Sequence, residues 1–90
     1  MKEFRFNEKK NNYLKLTRGV DFEVVIKIIK NDKKVKAIAH PNKKRYPKQR
    51  IFLVRIKKHI YAVPFIEEDD YIFLKTIYPS SKYTKELKIK

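Results

Sequence analysis

Ninety residues carrying 24 lysines and arginines against 10 acids, a formal charge of +14, describe one small and strongly basic domain spanning 1–90. A chain of this length buries only about 60–65% of its unfolded surface, so a single modest core is expected. With no cysteine, disulfides and thiolate metal sites are excluded, and two histidines, His40 and His59, are too few for a zinc site unless carboxylates join them.

The opening MKEFRFNEKK lacks an apolar signal core, and no apolar run is long enough to span a bilayer. A cytoplasmic protein without a membrane partner is therefore expected. Within that opening, 4-FRF-6 suits a short strand. Asn7 is a good cap for a helix over about 8–18, where Tyr13, Leu14 and Leu16 give a thin apolar stripe and Gly19 a left-handed stop. Asp21 caps a second helix through about Asn31, because Phe22, Val25, Ile26 and Ile29 recur at helical spacing.

Beyond the Asn31-Asp32 turn the period shortens to that of strands. The stretch 35-VKAIAH-40 alternates crudely, and 41–49 holds two prolines and cannot be a central strand. The segments 50-RIFLVRI-56 and 60-IYAVPFI-66 read as a hairpin across Lys57, Lys58 and His59, with Pro64 marking an edge or a bulge. The acids 67-EEDD-70 make the next turn, and 71-YIFLKTIY-78 reads as one long strand. After Pro79, 82-KYTKELKIK-90 is a basic tail or last short helix. The expected fold is α+β: two N-terminal helices on one face of a three- to four-stranded antiparallel sheet, the other face left to basic side chains and tyrosines.

Charge is distributed unevenly. From Lys33 to Ile66 there are eleven lysines and arginines and no acid. Most of the cations are lysine, and a lysine-rich composition accounts for part of the excess. It does not clear acids from a continuous third of the chain, so a polyanionic partner is expected. Gly19 is the sole glycine, which leaves no phosphate-cradling loop, nucleotide fingerprint or nucleophile elbow. Four contiguous acids at 67–70 read as a solvated turn rather than as paired catalytic carboxylates.

Cleavage of RNA by its own 2′-hydroxyl needs neither a cofactor nor a carboxylate. It asks for orientation, proton transfer and cations on the developing phosphorane. In 40-HPNKKRYPKQR-50, His40 suits proton transfer, or else packs at a strand end. Arg45 can fork onto a phosphate, and Tyr46 can stack on a base or fold back to anchor the loop. Lys43, Lys44, Lys48 and Arg50 suit phosphate steering. Lys75, inside an apolar strand, must reach an edge or a cleft. Lys82, Tyr83 and Lys85 follow the Pro79 break and would close that cleft, flanked by Arg55 or with Arg55 in plain solvent. His59 is expected to be exposed.

The order of these motifs resembles the BrnT-like toxins of bacterial toxin–antitoxin pairs, a branch of the RelE-type ribonuclease superfamily. The resemblance runs from 4-FRFNEKKNNYLKLTRGVDFEVV-25 through 51-IFLV-54 and 61-YAVPF-65 to 72-IFLKTIYPSSK-82. The family's loop, HPN followed by YP-x-Q, matches His40, Pro41, Asn42, Tyr46, Pro47 and Gln49. Its last strand, IFLKTI-x-PSRK, matches Lys75, Thr76, Pro79, Ser80 and Lys82, while Ser81 stands where the family usually has arginine. The resemblance implies a RelE-like fold and a metal-independent endoribonuclease that stops translation by cutting RNA, with messenger RNA on or off the ribosome as substrate. It also implies a cognate antitoxin, typically a small ribbon-helix-helix DNA-binding protein. With Ser81 in the arginine position, phosphate stabilisation falls to Lys82 or Lys85. Two other readings compete: a non-catalytic RNA-binding or ribosome-associated module, and a degenerate toxin crippled at Ser81.

Overall fold

A computed structural model describes residues 2–86. The elements run β1 (Glu3–Phe6), α1 (Glu8–Arg18), α2 (Phe22–Asn31), β2 (Lys36–Ala39), β3 (Gln49–Ile56), β4 (His59–Glu67), β5 (Tyr71–Leu74), β6 (Tyr78–Pro79) and α3 (Ser81–Glu86). The strands form one sheet in the order β1-β5-β4-β3-β2, with β6 alongside β4. All pairs are antiparallel except β1 with β5.

The fold is α+β, as expected, but its details differ from the expected arrangement of two N-terminal helices on a small antiparallel sheet. The strand expected at 4–6 joins the sheet in parallel, so the sheet is mixed and has six strands, and the short last helix packs on the opposite face. The opening strand alternates Phe4 and Phe6 with Glu3 and Arg5, a half-buried pattern. It pairs in parallel with β5 because the helices and the meander supply the long crossover that a parallel pair requires.

Local chemistry sets the helix ends. The Asn7 side chain accepts from the Lys10 N–H at 3.0 Å, and Asp21 accepts from the Val24 N–H at 2.8 Å. Gly19 sits at φ 66°, which a glycine adopts without penalty. Leu14 of α1 and Phe22 and Val25 of α2 then bury against Val54, Val63, Phe65, Leu74 and Ile77 of the sheet. Asn11 is the buried polar exception. Its Oδ1 accepts the Phe22 N–H at 2.8 Å and its Nδ2 donates to Glu23, so α1 is stitched to the start of α2.

The segment predicted as one strand, 71–78, breaks into β5 and β6. Phe65 pairs with Leu74, but Ala62 pairs with Tyr78: three residues back along β4 correspond to four forward. The extra residue is a bulge at 75–77, opposite Pro64, whose carbonyl accepts the Lys75 N–H at 2.8 Å. Proline has no N–H to return, so the ladder gives way there. The bulge resets the alternation. Leu74 and Ile77 both enter the main core, while Tyr78 joins a second apolar cluster on the opposite face.

That second cluster, Ile51, Leu53, Ile60 and Ala62 under Tyr78 and Tyr83, corrects the expectation that this face would be only basic and tyrosine-lined. Helix α3 covers part of it. The Ser80 hydroxyl accepts the Tyr83 N–H at 3.2 Å, and Thr84 accepts the Ile60 N–H at 2.9 Å, which holds the helix against β4.

Candidate nucleic-acid interface

The loop between β2 and β3 is built largely from its own side chains. The Asn42 N–H donates to His40 Nδ1 at 3.0 Å, and Asn42 Oδ1 accepts the Arg45 N–H at 3.2 Å. Backbone bonds from Tyr46 to Asn42 and from Gln49 to Tyr46 close it. The Tyr46 ring lies 4.6 Å from the His40 ring, and the Arg45 guanidinium lies 5.6 Å from the Tyr46 ring centre. Tyr46 is therefore half-buried and folded back as an anchor, while Lys43, Lys44, Arg45 and Lys48 stay exposed.

The bond to Nδ1 has a chemical consequence. A ring nitrogen that accepts from an amide carries no proton, so the neutral ring holds its proton on Nε2. His40 in this loop presents a hydrogen-bond donor. To act as a base at Nε2 it must change tautomer and give up the Asn42 bond.

Lys75 follows β5 directly, and its ammonium lies 5.9 Å from the Phe73 ring centre, exposed on the face that carries α3. The strands alternate in register across this face. One row runs Lys75, Pro64, Ile51, Ile38; the next runs Arg5, Phe73, Ile66, Gln49. His40, whose N–H bonds to the Gln49 carbonyl, stands at the end of the second row. His40 and Lys75 thus have β3 and β4 between them, about 15 Å at the usual strand spacing. The proposed cleft with both groups in its walls is not closed. They stand at opposite borders of a face whose middle, at Pro64 and Ile51, is buried.

On the α3 side, Lys82 lies exposed with its ammonium 5.3 Å from the Tyr83 ring centre, and Lys85 is exposed. Tyr83 is half-buried on the second cluster. Ser81 is exposed at the start of α3, and the predicted tail beyond Glu86 lies outside the described residues.

Two expected members stand elsewhere. Arg50 alternates with Phe52 and Val54 onto the face of the main core, where its guanidinium lies 5.8 Å from the Phe65 ring centre and reaches the Ala37 carbonyl at 3.4 Å. Arg55 lies at the far end of β3, where its Nε donates to the Lys57 carbonyl at 3.2 Å. His59 is exposed as expected, but begins β4 rather than lying in the turn.

Sequence order also hid the position of the acids. The β2–β3 loop and the turn after Glu67 lie at the same end of the sheet, because β3 starts where β4 stops. Glu67 pairs with Lys2 at 2.9 Å. Its carboxyl is held below the ordinary range first by the Lys2 hydrogen bond, then by the Lys2 charge, with Arg50 adding to the field. The basic loop therefore sits beside the acidic tetrad, not in an acid-free region.

Composition gave no sign of Arg18, which closes α1 and bonds to the Ile77 carbonyl left free by the bulge. Phe73, placed beside Lys75 on the open face, was legible only once Lys75 was known to point there. Comparison of the chain with models of protein families, with curated proteins and with solved structures returned no match.

Proposed function

We propose that the protein is a metal-independent endoribonuclease toxin of a toxin–antitoxin pair, as its resemblance to BrnT-like sequences implies. The 2′-oxygen attacks the adjacent phosphorus and gives up its proton to water, the 5′-oxygen leaves and takes a proton from water, and a 2′,3′-cyclic phosphate remains. The observation that carries this reading is Lys75. Its backbone is bonded at the bulge, and its exposed ammonium, with no acid partner among the described residues, lies beside the half-buried Phe73 ring. A cation fixed in this way suits the charge that develops on a phosphorane. Lys82 and Lys85 of α3 flank the same face, and Lys43, Lys44, Lys48 and Arg45 lie on the loop at its edge. His40, about 15 Å from Lys75 at the usual strand spacing, would act through its Nε2–H as a donor to a neighbouring phosphate of the same strand. A cognate antitoxin of ribbon-helix-helix type, carrying acids, would meet these cations.

A second reading, a non-catalytic RNA-binding module, is favoured by the distance between His40 and Lys75. The test is incubation of the purified protein with RNA in EDTA, with and without ribosomes, followed by analysis of the product ends. Cyclic phosphate ends are expected. RNA left intact under both conditions, with binding retained, overturns the nuclease in favour of the binding module.

A further inference from the structure

The two ends of the sheet differ in charge, and the more purely basic end is not the one with the loop. At the opposite end, the β3–β4 hairpin turns on two lysines, Lys57 and Lys58, with Arg55 bonded to the turn carbonyl. Beside it, an open depression of about 450 Å³ is lined by Lys27, Ile28, Asn31, Asp32 and Arg55. Lys34 and Lys36 lead into β2 along the same end. The acid lining the depression, Asp32, has its carboxylate engaged by the Lys34 N–H at 2.8 Å. Glu86 ends α3, which is bonded to Ile60 at this end, and among the described residues no acidic cluster here corresponds to the tetrad beside the loop.

A second observation bears on the same turn. Lys57 sits at φ 58°, in the left-handed region where glycine, asparagine or aspartate is favoured in two-residue hairpins. The turn holds a cation in a conformation that suits glycine better, and stacks a second cation next to it. Strain of this kind, held by the surrounding ladder, is a pointer to use.

We propose that this hairpin end is a separate docking site for the phosphate backbone of RNA, formed by Arg55, Lys57 and Lys58 with Lys27, Lys34 and Lys36. It reads no base. It adds sequence-independent affinity about 23 Å along β3 from the loop, the span of an eight-residue strand. From the ribonuclease reading it takes only RNA as the polyanion, and it holds whether or not the RNA is cut.

The experiment uses a 2′-O-methylated RNA strand of about thirty nucleotides, which lacks the attacking hydroxyl, so binding is measured apart from cleavage. Affinity is followed against salt for the whole protein, for Arg55→Gln/Lys57→Gln/Lys58→Gln, and for a control of equal charge loss on α1, Lys9→Gln/Lys10→Gln/Lys15→Gln. The hairpin triple is expected to lower the slope of log K against log salt by about 2, at roughly 0.7 per phosphate contact on a single strand, and the control by less than about 1. Lys57→Gly removes a charge and relieves the left-handed residue, so it should bind more weakly while melting no lower than the parent. Equal losses for the two triples would show a diffuse charge cloud and overturn the site, as would unchanged binding by Lys57→Gly.

Discussion

The Arg18 guanidinium, at the end of α1, donates to the carbonyl of Ile77, 59 residues away, in the bulge between β5 and β6. The bulge leaves that carbonyl without a ladder partner, and the helix supplies one. Replacing Arg18 with methionine keeps much of the side-chain volume and strands a partly buried acceptor. The expected loss is about 1.5–3 kcal/mol in urea unfolding, as for other hydrogen bonds to charged groups. A change below about 0.5 kcal/mol would mean that water replaces the bond.

Asn11 is expected to be costlier than its size suggests. Asn11→Ala leaves the buried Phe22 N–H without an acceptor, for a loss of about 1–3 kcal/mol. Equilibrium denaturation checks this, and Leu16→Ala, at an exposed helix position, serves as the neutral comparison.

Lys57→Gly should stabilise the protein. A non-glycine residue in the left-handed region costs about 1–2 kcal/mol, and glycine's extra unfolded entropy offsets roughly 0.5–1 of it. A net gain of a few tenths to about 1 kcal/mol is expected from the midpoint shift in urea. Lys57→Ala, which keeps the strain, should show no such gain.

Glu67 gives the acid limb a particular sign. Its carboxyl is lowered by the Lys2 hydrogen bond and charge, so the pair stabilises the fold above the ordinary carboxylate pKa. That contribution disappears as pH falls through the lowered value. Glu67→Gln should therefore melt below the parent near neutrality and converge with it in strong acid. A difference that persists unchanged at the lowest pH would trace the effect to packing instead.

Under the ribonuclease reading, Lys75→Ala should lower kcat on the order of 100-fold, the usual scale for removing one group that stabilises transition-state charge. Its side chain is exposed, so stability should hold. RNA affinity should fall by less than about threefold if the effect is on the chemistry. An equal loss in affinity and rate would assign Lys75 to binding alone.

The helices were legible because their signals are local. Asn7, Gly19 and Asp21 act within four residues of themselves, and the α2 stripe repeats at helical spacing. The bulge was not legible in 71-YIFLKTIY-78, whose apolar run fits a continuous strand. It appears only when Pro64, eleven residues upstream of Lys75, is laid across from it. The site failed in part for the same reason. His40 and Lys75 stand out by residue type and sequence context, but strand order, which puts β3 and β4 between them, is not a property of either segment. Asn42 and Ser80 read as motif residues, and both serve the fold locally. Asn42 closes the loop onto His40, and Ser80 caps α3.

The first strand has a consequence for the order of assembly. Phe4 lies opposite Ile72, so β1 has no partner in the sheet until most of the chain has been synthesised. The helices and the β3–β4 hairpin make nearer contacts and can form earlier, since closing short loops costs less entropy than closing long ones. The seam between β1 and β5 closes the widest sequence separation in the sheet and is expected to zip late. On a ribosome, β1 would stay unpaired until residues 71–74 have emerged. Before that moment Phe4 and Phe6, which pack on the main core in the finished fold, would be left waiting in solvent.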